Sequence, residues 1–175
     1  ERGDVKTPLV VERDTDKHGT FVWFKPDKEI FETTVFSCKT LVYHLRETAF
    51  LTKGLKINLK DLREDKDRDP DDVKQDVKRE YSFHYEGGIR EFVQYINRTR
   101  TPLYPEIFYA EGSRDGVYVE VAFQHNDEYN ETIFSFVNNI NTTDGGTHLA
   151  GFKSGLTKTV NEYGRKFGLL KDSDK

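Results

Sequence analysis

The residues of this sequence best suited to chemistry gather at a few places, and each admits a plainer reading. Asp144-Gly145-Gly146-Thr147-His148 puts two glycines ahead of a helix start, where free backbone N–H groups attract anions. The run lacks the Gly-Lys-Ser/Thr ending of a phosphate-binding loop, so it reads first as a tight strand-to-helix turn capped by Thr147. His148 beside Asp144 has the makings of an acid–base pair, but no nucleophile accompanies it, and a structural histidine is the simpler assignment. His125, Asp127 and Glu128 carry metal-ligand chemistry, yet near-contiguous loop residues diverge where a metal needs convergent donors. There is no Gly-x-Ser-x-Gly elbow, no His-Glu-x-x-His pair and no paired-cysteine site. Lys153, Lys158, Arg165, Lys166 and Lys171 lie close together near the end of the chain. They could face phosphate in an assembly or form a solvated outer face. The residues alone define no catalytic constellation.

The elements that would position these groups follow from periodicity and punctuation. Leu9–Val11 has a strand-like core, and Thr20-Phe21-Val22-Trp23-Phe24, closed by Pro26-Asp27, reads as a buried strand. Ser37 can cap a helix running to about Thr52, with Leu41, Leu45 and Ala49 at four-residue spacing and Gly54 as the stop. Leu55, Ile57 and Leu59 alternate with polar residues as a strand with one wet face. Between residues 61 and 80, 15 of 20 side chains are charged, of both signs, and Pro70 interrupts them. Such a stretch is expected to be an exposed, mobile linker or insertion, and its balance of signs argues against a basic docking site. Tyr81–Tyr85 resumes as a strand, and Ile89, Phe92, Val93 and Ile96 mark a helix ended before Pro102.

Ile107–Ala110 and Val117–Gln124 read as strands joined through Asp115-Gly116, a strong hairpin signal. Glu131–Ile140 is expected as the third strand of that sheet. A helix then begins near Thr147, with Leu149, Phe152, Leu156, Val160, Tyr163 and Phe167 in one stripe about 80° wide, and Gly168 ends it. The class this predicts is α+β, with helices covering one face of an antiparallel sheet.

Composition bounds the rest. A chain of 175 residues with 13 Phe and 9 Tyr can bury roughly 70% of its unfolded surface. No apolar run approaches the roughly 20 residues that span a bilayer, and the N-terminus has no signal-peptide core, so no membrane partner is expected. Cys38 is the sole cysteine, which excludes an intrachain disulfide and favours a reducing, cytoplasmic setting. The Asn-x-Thr sequons at Asn97, Asn130 and Asn141 then read as chance matches. The net charge of −4 disfavours a general nucleic-acid binder. Residues 1–79 carry 17 basic and 17 acidic side chains, while residues 80–175 carry 10 and 14.

Several strings resemble the DNA gyrase B family of bacterial type II topoisomerases, whose close relative is the B subunit of topoisomerase IV. They are His18-Gly19-Thr20 through Pro26-Asp27, Leu45-Arg46-Glu47-Thr48-Ala49-Phe50-Leu51, and Phe83-His84-Tyr85-Glu86-Gly87-Gly88-Ile89. The most specific is Phe136-Val137-Asn138-Asn139-Ile140-Asn141-Thr142 followed by Asp144 to Phe152. The match is collinear over nearly the whole chain apart from the charged insert. The Glu-Gly-Gly-Ile and Asn-Asn-Ile-Asn-Thr strings favour gyrase over topoisomerase IV.

The resemblance implies that residues 1–79 are the closing part of a gyrase-type (Bergerat) ATPase domain. It implies that residues 80–175 are the first part of a transducer domain of ribosomal-protein-S5 type. Thr20 matches a threonine that holds adenine through a water, Val22 an apolar wall of that pocket, and Lys153 an arginine position lining the cavity between paired transducers. Lysine there keeps the charge but loses the bidentate fork. In the intact protein ATP and Mg2+ would be cofactors. DNA, the gyrase A protein and another B protein would be its partners. The catalytic glutamate, the magnesium-holding asparagine, the glycine-rich segments and the phosphate-meeting lysine of the family are expected outside these 175 residues. The chain by itself is therefore expected to be a catalytically inactive monomer without bound cofactor. Two competing expectations are an autonomous nucleic-acid-binding module using helix 147–171 and a small enzyme working through Asp144 and His148.

Overall fold

The computed structural model describes residues 4–16 and 18–171. Packing divides the chain into two units between Val35 and Phe36. In the first unit the described residues form neither helix nor strand. Their one defined turn follows Pro26, where the Asp27 carbonyl accepts from Ile30 N and Phe31 N at 3.1 and 3.0 Å and its carboxylate accepts from Glu29 N at 2.9 Å. The buried strand expected at Thr20–Phe24 is absent. Phe21, Val22, Trp23 and Phe24 are 90%, 73%, 79% and 69% exposed. The strand-like Leu9–Val11 is equally exposed and unpaired. A strand is completed by pairing with a neighbour, and no strand among the described residues lies against this segment.

The second unit opens with helix α1 (Cys38–Leu51), capped as expected by Ser37, whose hydroxyl accepts from Thr40 N. The buried stripe is shifted from the expected one. Cys38, Val42 and Ala49, with Leu45 beside them, form the core against Ile57, Leu59, Val77, Tyr81 and Phe83. After Gly54, in the left-handed region at φ +75°, strand β1 (Lys56–Lys60) pairs antiparallel with β2 (Glu80–His84), Asn58 opposite Ser82.

Residues 61–80 depart from the mobile linker expected of them. They fold into a 3₁₀ turn (Asp65–Asp67) and a short helix, α2 (Pro70–Lys74), started by the Asp69 side chain on Asp71 N with Pro70 in the first turn. Opposite charges, rather than apolar area, order the segment. Because β1 and β2 flank it and pair with each other, residue 80 lies within one continuous ladder. Helix α3 (Ile89–Asn97) follows β2 and buries Phe92. Phe50 of α1 ties these elements together, stacked on Tyr85 with centroids 3.6 Å apart and 5.0 Å from the Phe92 ring.

Strands β3 (Phe108–Arg114) and β4 (Val117–Phe123) form the expected hairpin, turned at Asp115 and Gly116, both at positive φ (53° and 79°). This is the two-residue geometry that Asp-Gly favours. Glu131–Ile140 is not a third strand of that sheet. Asn138 and Asn139 both adopt positive φ (49° and 65°) and fold the chain back on itself, so β5 (Phe136–Val137) pairs only with β6 (Ile140–Asn141). Helix α4 (Thr147–Lys166) has Gly146 as its N-cap with no side-chain cap, so Thr147 is the first helical residue rather than the cap. Gly168 at φ +69° ends it, with Leu169 N reaching Gly164 O at 2.7 Å. Among the described residues the architecture is α+β, in three two-stranded antiparallel sheets.

Candidate functional site

Thr20 and Val22 stand two residues apart where the first unit forms neither helix nor strand, and both are exposed.

At the start of α4, Gly145 (φ +74°) donates to Thr142 O at 2.9 Å and turns the chain into the helix. His148 Nε2 lies 3.2 Å from the Thr142 hydroxyl, which itself donates to Ser135 O at 2.9 Å. The histidine therefore engages Thr142 rather than Asp144, and it braces the short β5–β6 hairpin. A Cβ at Gly146 would meet the His148 ring at 2.9 Å. On α4, Lys153 forms an ion pair with Glu131, and Lys158 lies 3.8 Å from Glu162. Lys166 sits 5.8 Å from the Phe167 ring centroid. The helix's apolar stripe is half-covered at Leu149, Phe152 and Leu156, whereas Val160, Tyr163 and Phe167 remain 57%, 57% and 58% exposed.

His125, Asp127 and Glu128 are drawn to separate partners. His125 Nδ1 meets Tyr104 Oη at 2.7 Å, Asp127 N donates to Thr101 O, and Glu128 pairs with Arg100 at 3.4 Å. No group of three or more His, Cys, Asp or Glu converges among the described residues.

Sequence reasoning missed the polar chemistry of the charged segment. Asp72, only 1% exposed, reaches from α2 to the N-terminus of α1. Its carboxylate accepts from Cys38 N, from Lys39 N at 3.1 Å and from Ser37 Oγ at 3.3 Å. Asp61 accepts from Arg63 Nε at 2.8 Å and Arg68 Nε at 3.0 Å, while Arg68 Nη2 donates to Val77 O at 2.7 Å. The Arg63 bond above all holds the Asp61 carboxyl down at about 2. Arg79 closes the cluster through Asp65 at 2.6 Å and the Arg63 carbonyl. The Asp69-Pro70 start was legible as a helix N-terminus; the partners of Asp72 and Asp61, more remote, were not. Glu47 is also buried at 7%, and its Oε1 has no hydrogen-bond partner among the described residues.

The same chain matches known proteins closely. The B subunit of DNA gyrase from Clostridium acetobutylicum is 51% identical over 99% of the chain, which spans 25% of that relative. The B subunit of DNA topoisomerase 4 from Enterococcus faecalis is 48% identical over 91% of the chain, which spans 22% of it. Among solved structures, the 43K ATPase domain of Thermus thermophilus gyrase B in complex with an aminocoumarin superposes with a TM-score of 0.66. It is 35% identical, over 86% of this chain and 38% of that one. The chain thus spans about a quarter of the length of these two curated relatives. The family model described as DNA gyrase B matches residues 88–175, half of the sequence, and on that match the chain belongs to the DNA gyrase B family.

Proposed function

We propose that this chain is a segment of the ATP-driven subunit of a bacterial DNA gyrase and that it links the nucleotide pocket to the DNA-handling part of the enzyme. The observation that carries the reading is the 51% identity to a gyrase B protein over 99% of the chain, against coverage of only 25% of that relative. Residues 1–79 are assigned to the end of the ATPase domain and residues 80–175 to the start of the transducer. In the parent, ATP binding would pair two B subunits, and the transducer would pass that state to a complex with DNA and the gyrase A protein.

The described residues fit part of the nucleotide. Thr20 can hold the adenine edge through a water and Val22 can pack on its face. The exposed run Phe21–Phe24 would be covered by the rest of the ATPase domain. Among the described residues no three or more His, Cys, Asp or Glu side chains converge. Following the resemblance, Mg2+, the phosphates and the hydrolytic step are assigned to other parts of the parent. Lys153 is assigned to the cavity between paired transducers, where it would exchange Glu131 for DNA phosphate.

The test is made on the full-length B protein combined with the gyrase A protein. ATP-dependent negative supercoiling of relaxed plasmid is expected; ATP-dependent relaxation or decatenation without supercoiling would move the assignment to topoisomerase IV. Thr20→Ala should weaken ATP binding roughly tenfold, the equivalent of one hydrogen bond. Unchanged nucleotide affinity would remove Thr20 from the pocket.

A further inference from the structure

Three separate elements of the second unit meet at the C-terminal end of α1. Gly54 N donates to Tyr85 O at 3.3 Å and so holds the end of β2. Thr52 Oγ1 accepts from Asn139 Nδ2 at 3.2 Å, which holds the tip of the β5–β6 hairpin. Lys53 Nζ reaches the β3–β4 hairpin, 3.5 Å from Glu120 and 3.2 Å from Tyr109 Oη.

The last contact answers a problem built into that hairpin. Glu111 and Glu120 sit directly opposite each other in the ladder, a like-charge pair that opposes pairing. The Tyr109 hydroxyl lies within hydrogen-bond reach of both carboxylates, 2.6 Å from Glu120, with one proton to share between them, and Tyr118 donates to Glu111 at 2.9 Å. The compensating charge comes from outside the hairpin. Lys53 lies 5.0 Å from the Tyr109 ring centroid, and Arg90 of α3 lies 4.4 Å from it. The path of the lysine stem is equally specific. It crosses Gly88, where a Cβ would stand 2.7 Å from Lys53 Cε. Of the two cations at this site, Arg90 belongs to α3 and Lys53, which pairs with Glu120, depends on the position of the end of α1.

We propose that Thr52 and Lys53 are positioning residues that couple α1 to both hairpins, so that a displacement of α1 is delivered to β3–β4 and β5–β6 together. The proposal rests on the functional reading above, in which α1 belongs to the nucleotide-responsive part and the hairpins to the transducer. Withdrawing Lys53 removes the ion pair to Glu120 and leaves the repulsion between Glu111 and Glu120 less fully offset, so the hairpin pairing responds to the position of α1.

The experiment uses the full-length B protein carrying Lys53→Met, Glu120→Gln, or Lys53→Glu with Glu120→Lys, each assembled with the gyrase A protein. ATP turnover and supercoils introduced per ATP are measured side by side. Lys53→Met and Glu120→Gln should keep ATP affinity within about twofold while supercoils per ATP fall at least threefold, and the exchanged pair should recover most of that loss. Addition of Asn139→Ala to Lys53→Met should deepen the deficit. The proposal is overturned if supercoils per ATP are unchanged in Lys53→Met Asn139→Ala. It is also overturned if turnover and supercoiling fall in equal proportion with no recovery in the exchanged pair, which would mark a purely structural role. A wild-type enzyme that neither hydrolyses ATP nor supercoils DNA would instead remove the functional reading itself.

Discussion

At the scale of single residues, the charged segment shows how much one carboxylate can do when the right donors converge on it. Asp72 supplies from a distance what an N-cap supplies locally, satisfying the Cys38 and Lys39 amides at the positive end of the α1 dipole. Asp72→Ala should therefore destabilise the chain by about 3 kcal/mol, read from urea unfolding, and Asp72→Asn by roughly half that. Equal losses would mean that the charge contributes nothing. Asp61 permits a pH test. Its carboxyl is lowered from 3.8 to about 2, so its contribution is fully present above about pH 4 and fades as pH falls from there through 2. The stability gap between wild type and Asp61→Asn should accordingly narrow between about pH 4 and pH 2; a gap independent of pH would place the effect in packing. None of this is readable from residue types alone. The abundance of charge is plain, but a carboxylate's partners 34 positions away in the chain are decided by the fold.

At the scale of elements, what local chemistry dictates was legible. Ser37 caps α1, Asp115-Gly116 turns the β3–β4 hairpin, and Gly168 stops α4 as expected. Each is a choice made within a few residues. The Asp-Gly turn can be tested directly. A Cβ at Gly116 would meet nothing within 4 Å, so Gly116→Ala carries only the backbone penalty of positive φ, about 1 kcal/mol. Gly116→Asn should cost clearly less, because Asn tolerates that region. Hydrogen exchange of the β3 and β4 amides would report both, and identical protection in wild type and Gly116→Ala would refute the argument. Elements that need a distant partner were misjudged. Thr20–Phe24 has the composition of a strand but pairs with no strand among the described residues, and Glu131–Ile140 breaks at Asn138-Asn139 before it can join the larger hairpin.

At the scale of the whole molecule, the dominant fact is apolar surface left in water. Soluble monomers rarely show contiguous apolar patches of this kind outside interaction sites, and Phe21–Phe24 and the Val160–Phe167 end of α4 are two of them. Trp23 is the only tryptophan and is 79% exposed. Its emission in the 175-residue chain should match free tryptophan in water and be fully accessible to iodide. A blue-shifted, protected emission would mean that the first segment buries itself. By itself the sequence determined the Ser37 cap, the Asp115-Gly116 turn, the existence of the three long helices and the family, because those reside in residue types at short spacing or in collinear strings. Only the tertiary structure decided that the acidic and basic run folds as an ion-paired brace, that β1 and β2 close around it, and that Lys53 pairs with one of two facing glutamates. Those outcomes depend on groups brought together from far apart in the chain, where electrostatic energy is set by distances of a few ångströms and spacing along the sequence carries no information about them.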